Sequence, residues 1–186
     1  MTSDEKITMI KDRARKNFSK GLNCAECVFE AVLAQGDTDL SDDSLKLATG
    51  FGGGIGLYGD TCGAVAGAVL SVSAVHGRTG LPDVPEGGDR KAAMQAAKQQ
   101  LYGRPGIYRI FNQIPNMVGE KYGNTLCREI TAEWTDQWLC RDHALHCREI
   151  ITDLAELAAK LIYSDREKIA DKPFGCNVEN LKDKEE

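Results

Sequence analysis

Residues 50–68 read GFGGGIGLYGDTCGAVAGA, and eight of these nineteen are glycine. Glycine loses more conformational freedom on folding than any other residue. Such a density belongs where the backbone must turn tightly or pass close to another group. From about Thr61 to His76 the chain is then apolar or small on every side, with Gly77 as a stop signal. A helix apolar all round has to be buried. A chain with a helix of this kind must surround it, and that requirement sets the fold.

The segments available to surround it are helical in pattern. Ser3 or Asp4 can cap a helix over about 5–19, closed by Gly21. Asn23 opens CAECVFEAVLAQ, where Cys24, Cys27, Val28, Ala31 and Val32 follow helical spacing. After Ser41, DDSLKLAT predicts a short helix ending at Gly50, and TGLPDVPEGG at 79–88 reads as a loop. Helices are expected at about 89–101 and 105–121, limited by Pro105 and Pro115. GNTLCREI is a turn or helix start. A long helix over about 137–163 carries Cys147, Ile150, Ile151, Leu154, Leu157, Ala158 and Leu161 on one stripe. No strand-like alternation persists. The expected fold class is all-α, a helical bundle with a glycine-rich loop leading into a buried central helix. The length of 186 residues suits a single domain over 1–165, with a C-terminal arm and charged tail over 166–186.

The net charge of −5 argues against nucleic acid as a partner. The N-terminal MTSDEKITMIKDRARKNF lacks the apolar run of a secretory signal, and AVAGAVLSVSAV at 64–75 is too short to span a bilayer. The expectation is a cytoplasmic protein that does not enter the membrane. In a reducing compartment, seven cysteines point to metal binding or redox chemistry rather than to structural cross-links. No Ser-His-Asp or paired-carboxylate motif stands out, so enzymatic activity is left open.

GIGLYG satisfies Gly-x-Gly-x-x-Gly at Gly54, Gly56 and Gly59. A dinucleotide site needs a strand before such a loop, and SDDSLKLAT is helical by composition. The alternative is that the glycines serve a thiol. Cys62 falls at the start of the central helix, where unpaired N–H groups favour an anion and lower a cysteine pKa, which would make it a ready nucleophile. The small residues after it, Gly63 among them, leave room beside its sulfur. Tight helix packing alone is the competing explanation.

Two other cysteine patterns compete. Cys140, His143 and Cys147 stand at i, i+3 and i+7, and with Cys27 or Cys176 they could form a zinc site. CAEC at 24–27 is a dithiol spacing, but it lies in a helical pattern without the strand of a thioredoxin fold. His146 is expected to be solvated, His76 to be structural, and Trp134 with Trp138 to form a packing pair.

The sequence resembles the redox-active proteins named for their cysteine pattern, the C-GCAxxG-C-C family. The matching segments are GLNCAECV, FGGGIGLYGDTCGAVAGA, LCREI and HCREIITDLAELAAKL. The resemblance spans about 20–163. It implies a helical fold and four functional cysteines, which map to Cys24, Cys62, Cys127 and Cys147. The module is also similar to part of the split-Soret cytochromes c, which implies an iron–sulfur centre and a homodimer. The chain has no Cys-x-x-Cys-His, so the haem half of that likeness does not carry over.

Spacing is compatible with that ligand set. Cys24 and Cys27 lie on an apolar helix face, Cys147 lies on the stripe of the last helix, and Cys62 begins the buried one. The sulfurs can meet at one end of the bundle if Cys127 joins them from its turn. Four cysteines suit a two-iron or a four-iron cluster, with the 52–59 loop, including Gly59, and the start of the central helix at Gly63 supplying N–H groups and space. The expected function is electron transfer or redox sensing with a partner protein. Metal-free thiol–disulfide chemistry on the same cysteines, or a zinc-binding structural module, is the alternative.

Overall fold

The structure is a computed structural model and describes residues 1–81 and 87–177. Part of the expected 79–88 loop, and the charged tail from 178 onward, lie outside the described residues. Helix α1 (Ser3–Ser19) begins with a capping box: the Thr2 hydroxyl accepts the Glu5 N–H, and the Glu5 carboxylate accepts the Thr2 N–H. Thr2 is therefore the cap, ahead of Ser3 and Asp4, because only Thr2 has an acidic residue three positions on that can reciprocate. Helix α2 (Cys24–Leu33) repeats the device with Asn23 and Glu26.

The helix expected after Ser41 forms as 3-10 turns over Asp42–Leu47 and Thr49–Phe51. Neither turn buries a residue, and Ser41 makes no capping bond, so nothing sustains an α-helical nucleus there. A single turn, α3 (Gly52–Ile55), leads through the glycines to α4 (Gly63–His76). Then follow α5 (Arg90–Tyr102), α6 (Ile107–Tyr122), α7 (Cys127–Ile130), a 3-10 turn over Ala132–Gln137, α8 (Arg141–Ile162) and α9 (Arg166–Ala170).

Pro115 sits inside α6 instead of bounding it. The interruption costs roughly 3 kcal/mol. Burying Ile107, Ile110, Ile114 and Val118 on the inner face returns about 1.5–3 kcal/mol for each side chain, which outweighs it. The long helix starts at Arg141 rather than near 137, because the preceding residues close a 3-10 turn and Cys140 takes the cap.

Helix α4 lies at the centre, packed against α2, α8 and α6, while α1 closes the bundle over α2 and α8. The core unites Ile10, Val28, Val72, Ile110, Ile114, Ile150, Ile151 and Leu154. Gly67 lets α4 approach α2 so closely that a Cβ there would lie 2.6 Å from the Ala25 carbonyl oxygen. The segment beyond residue 165 begins as α9, which buries Ile169 and Ala170. It continues as an arm along α6, where Asn112 and Asn116 bond the backbone of Gly175 and Cys176. Among the described residues no helix is long and apolar enough to cross a membrane.

Glu30 on α2 joins α1 through Arg13 and Asn17. Burial raises its pKa, but the bonds from Arg13 and Asn17 outweigh burial and hold it below the ordinary carboxylate value. A carboxylate with a depressed folded pKa contributes stability above its unfolded pKa, roughly 4.3. That stability is lost as pH falls through the folded value. Glu30→Gln is therefore expected to lower the urea midpoint at pH 7 and to matter much less at pH 3. Equal losses at the two pH values would contradict the charge assignment.

Candidate functional site

Four of the seven cysteines meet at one end of the bundle, and three of them stand where a helix begins. Cys24 is the first residue of α2, Cys62 is the cap of α4, and Cys127 is the first residue of α7. Cys147 comes from the second turn of α8. Their ionisation is linked: Cys147 feels Cys24, Cys62 and Cys127, while Cys62 and Cys127 both feel Cys24. Cys24, Cys127 and Cys147 share a cavity of about 270 Å3 with Cys140, Gly53, Leu57, Trp138 and His143, whereas Cys62 does not line it.

The Asn23 side chain fixes the first turn of α2. It accepts the N–H groups of Ala25 and Glu26 and donates to the Thr49 carbonyl, and the Thr49 hydroxyl donates to Glu26. This ties Cys24 to the glycine loop. Across the site, the Cys62 N–H donates to the Thr125 carbonyl at 2.8 Å and the Cys127 N–H to the Asp60 carbonyl at 2.7 Å. The two cysteines are thus held by a short antiparallel bridge between Thr61 and Leu126.

The glycines act through handedness and clearance. Gly53, Gly54, Ile55, Gly56 and Leu57 all have positive φ, so five successive residues are left-handed. Three of them are glycine because L side chains there cost roughly 1–2 kcal/mol each. Gly54 also passes Cys127 so closely that a Cβ would lie 2.7 Å from the cysteine Cβ, and one at Gly63 would lie 3.2 Å from the Cys24 Cβ. Gly59 accepts the Arg128 N–H and would bring a Cβ to 3.1 Å from Arg128. The 52–59 loop provides space but few free donors. The N–H groups of Leu57, Tyr58 and Gly59 are spent on carbonyls within the loop, and only Gly53 turns its N–H to a sulfur, that of Cys24.

Ile55 is half exposed, so its side chain recovers little of the strain. Ile55→Gly is expected to raise stability by up to about 1 kcal/mol, the relieved handedness less the backbone entropy of glycine. Thermal melts check this; a loss of 1 kcal/mol or more would show that the side chain is needed where it stands.

The acidic thiol is Cys24, not Cys62. Burial pushes the Cys62 thiol up to about 12, the charge of Cys24 adds to the rise, and the N–H groups of Ala64 and Val65 oppose it without prevailing. The expected low-pKa nucleophile at Cys62 is thereby corrected, because desolvation outweighs the helix terminus. Cys24 is held below the ordinary thiol value, first by the Cys147 S–H that donates to it, then by its own N–H and that of Gly53. Its bond to Cys24, together with burial, drives Cys147 up, so the proton of the pair stays on Cys147. Burial raises Cys127 as well.

The remaining cysteines have separate roles. Cys27 is fully buried and donates to the Leu22 carbonyl, Cys140 accepts the His143 N–H at the start of α8, and Cys176 is exposed on the arm. Trp134 and Trp138 do not pair with each other; each lies on the His143 ring, at 5.8 and 4.2 Å between centroids. His146 is not solvated as expected: it packs on Trp134, and its Nε2 is buried without a hydrogen-bond partner.

Among the described residues no group of three or more His, Cys, Asp or Glu side chains is arranged to hold a metal ion. A cluster makes a different demand, since it carries its own sulfides and spreads its four thiolates over two or four irons. The quartet fits that demand in donor chemistry: four soft sulfurs from separate segments, a backbone N–H turned to one of them, and clearance kept by glycines. A family model described as "Putative redox-active protein (C_GCAxxG_C_C)" matches residues 22–161. No curated protein and no solved structure matches the chain.

Proposed function

The chain belongs to the C_GCAxxG_C_C family, and from that premise we propose that Cys24, Cys62, Cys127 and Cys147 form a redox centre that holds an iron–sulfur cluster. The observation that carries this reading is the convergence of four segments: Cys24, Cys127 and Cys147 line one cavity, and the Thr61–Leu126 bridge sets Cys62 beside Cys127. The cluster would supply one-electron chemistry, for electron transfer or redox sensing with a partner protein. The chain's own part is to present the sulfurs, to limit water through burial, and to bias the charge of the site with the N–H groups at helix starts.

A second reading rests on the Cys24–Cys147 contact. The two free thiols line one cavity and are oppositely biased, one acidic and one retaining its proton. Without metal, the Cys24 thiolate can attack a partner disulfide, forming a mixed disulfide and releasing one thiolate. Cys147 then gives its proton to the thiolate already released and attacks the Cys24 sulfur, which closes Cys24–Cys147 and releases the second thiolate.

The test is a visible spectrum, with metal and acid-labile sulfide assays, on protein purified without oxygen. A brown protein with iron and sulfide is the expected result. A colourless protein that loses two thiols on treatment with a disulfide supports the second reading. A colourless protein with stoichiometric zinc refutes both.

A further inference from the structure

The cavity that receives the thiols also receives an imidazole. His143 is buried, with 6% of its surface exposed, and lines the cavity beside Cys24, Cys127 and Cys147. Its Nδ1 faces the Trp138 carbonyl. A carbonyl only accepts, so Nδ1 carries a proton, and in the neutral ring the lone pair is on Nε2. Nε2 stands 3.3 Å from the Cys147 sulfur. The Trp134 and Trp138 rings hold the imidazole in this orientation.

His143 Nε2 thus stands beside the Cys147 sulfur on the same buried cavity that Cys24 and Cys127 line, a nitrogen donor within reach of the position that Cys147 occupies. An imidazole with one nitrogen fixed on a backbone carbonyl and the other open is how proteins present histidine to a metal. Resting on the cluster reading above, we infer that His143 is a nitrogen donor to the centre, able to take the coordination position of Cys147. Cys24, Cys62 and Cys127 have no such stand-in among the described residues that line the cavity: the other sulfur there, Cys140, caps α8. Nitrogen ligation in place of sulfur raises the potential of an iron–sulfur centre, so exchange between the two donors would alter its redox behaviour.

The test uses full-length protein with iron and sulfide supplied under anaerobic conditions, in wild type, Cys147→Ala, His143→Gln and the double variant. Cys147→Ala is expected to keep iron within about twofold of wild type, and the double variant to lose about tenfold or more. The reduced Cys147→Ala protein should show a strong nitrogen coupling in pulsed electron paramagnetic resonance that the double variant lacks. Iron loss in Cys147→Ala as deep as in the double variant would overturn the inference and leave the four-cysteine reading standing. Wild type that takes up no iron would overturn that reading itself, and the inference with it. In the metal-free protein, 15N chemical shifts should report the neutral ring as its Nδ1–H tautomer; the Nε2–H tautomer counts against the inference independently of any variant's folding.

Discussion

Serine at position 62 is expected to reduce the iron and labile sulfide of anaerobically purified protein to background while the bundle stays folded. Cys62 is the cap of α4; its sulfur makes no capping hydrogen bond, though the N–H groups of Ala64 and Val65 lie near enough to favour its charge. Serine is among the better residues at a helix cap, so its hydroxyl can satisfy one of those donors. The volume change is small. What is lost is the soft donor, which a hydroxyl does not replace for iron–sulfur chemistry. Far-ultraviolet circular dichroism and the urea midpoint should therefore match wild type within about 1 kcal/mol. Unchanged iron in this variant would remove Cys62 from the centre.

Valine at position 67 should have the opposite profile, a failure of the fold before any failure of chemistry. A Cβ at Gly67 meets only backbone: Ala25 O at 2.6 Å, Cα at 2.9 Å and C at 3.1 Å. None of these is the far end of a side chain that can swing away, so α2 and α4 must separate. Overpacking of a tight core costs typically 1–3 kcal/mol, and three added carbons against a helix backbone set the loss at about 3 kcal/mol or more. In a chain of this size that lowers the melting temperature by about 10 °C. Gly119→Ala on α6 is the control. It has nothing within 4 Å of its added Cβ and an ordinary φ, and it should gain about 0.5–1 kcal/mol. A melting temperature in Gly67→Val within 2 °C of wild type would show that the two helices are not in contact there.

Much of the fold could be read from periodicity, because burial of one helix face leaves a mark at every third or fourth residue. The stripe from Cys147 to Leu161 and the all-round apolarity of 63–76 are such marks, and α8 and α4 follow them. The errors fall where tertiary contacts outweigh local preference. Pro115 looks like a stop until the buried face of α6 is counted, and DDSLKL looks helical until its exposure removes the reason to be. At the site, the pattern marked the four cysteines but not their ionisation. Cys62 has the sequence context of an acidic thiol, yet burial and the charge of Cys24, brought near only by folding, reverse this. His143 carried a usable signal, its i, i+4 spacing to Cys147. What sequence does not contain is the Trp138 carbonyl that fixes its tautomer.

Helix α1 finds its main packing partner in α8, and Cys147 rides on that same helix. Synthesis runs from one end to the other, so α1 and the first three sulfurs emerge from the ribosome long before the helix that completes both the bundle and the quartet. Until residue 162 or so is released, the growing chain has an uncovered apolar face and three unattended thiols. The quartet is therefore complete, and the bundle closed, only once α8 has been made.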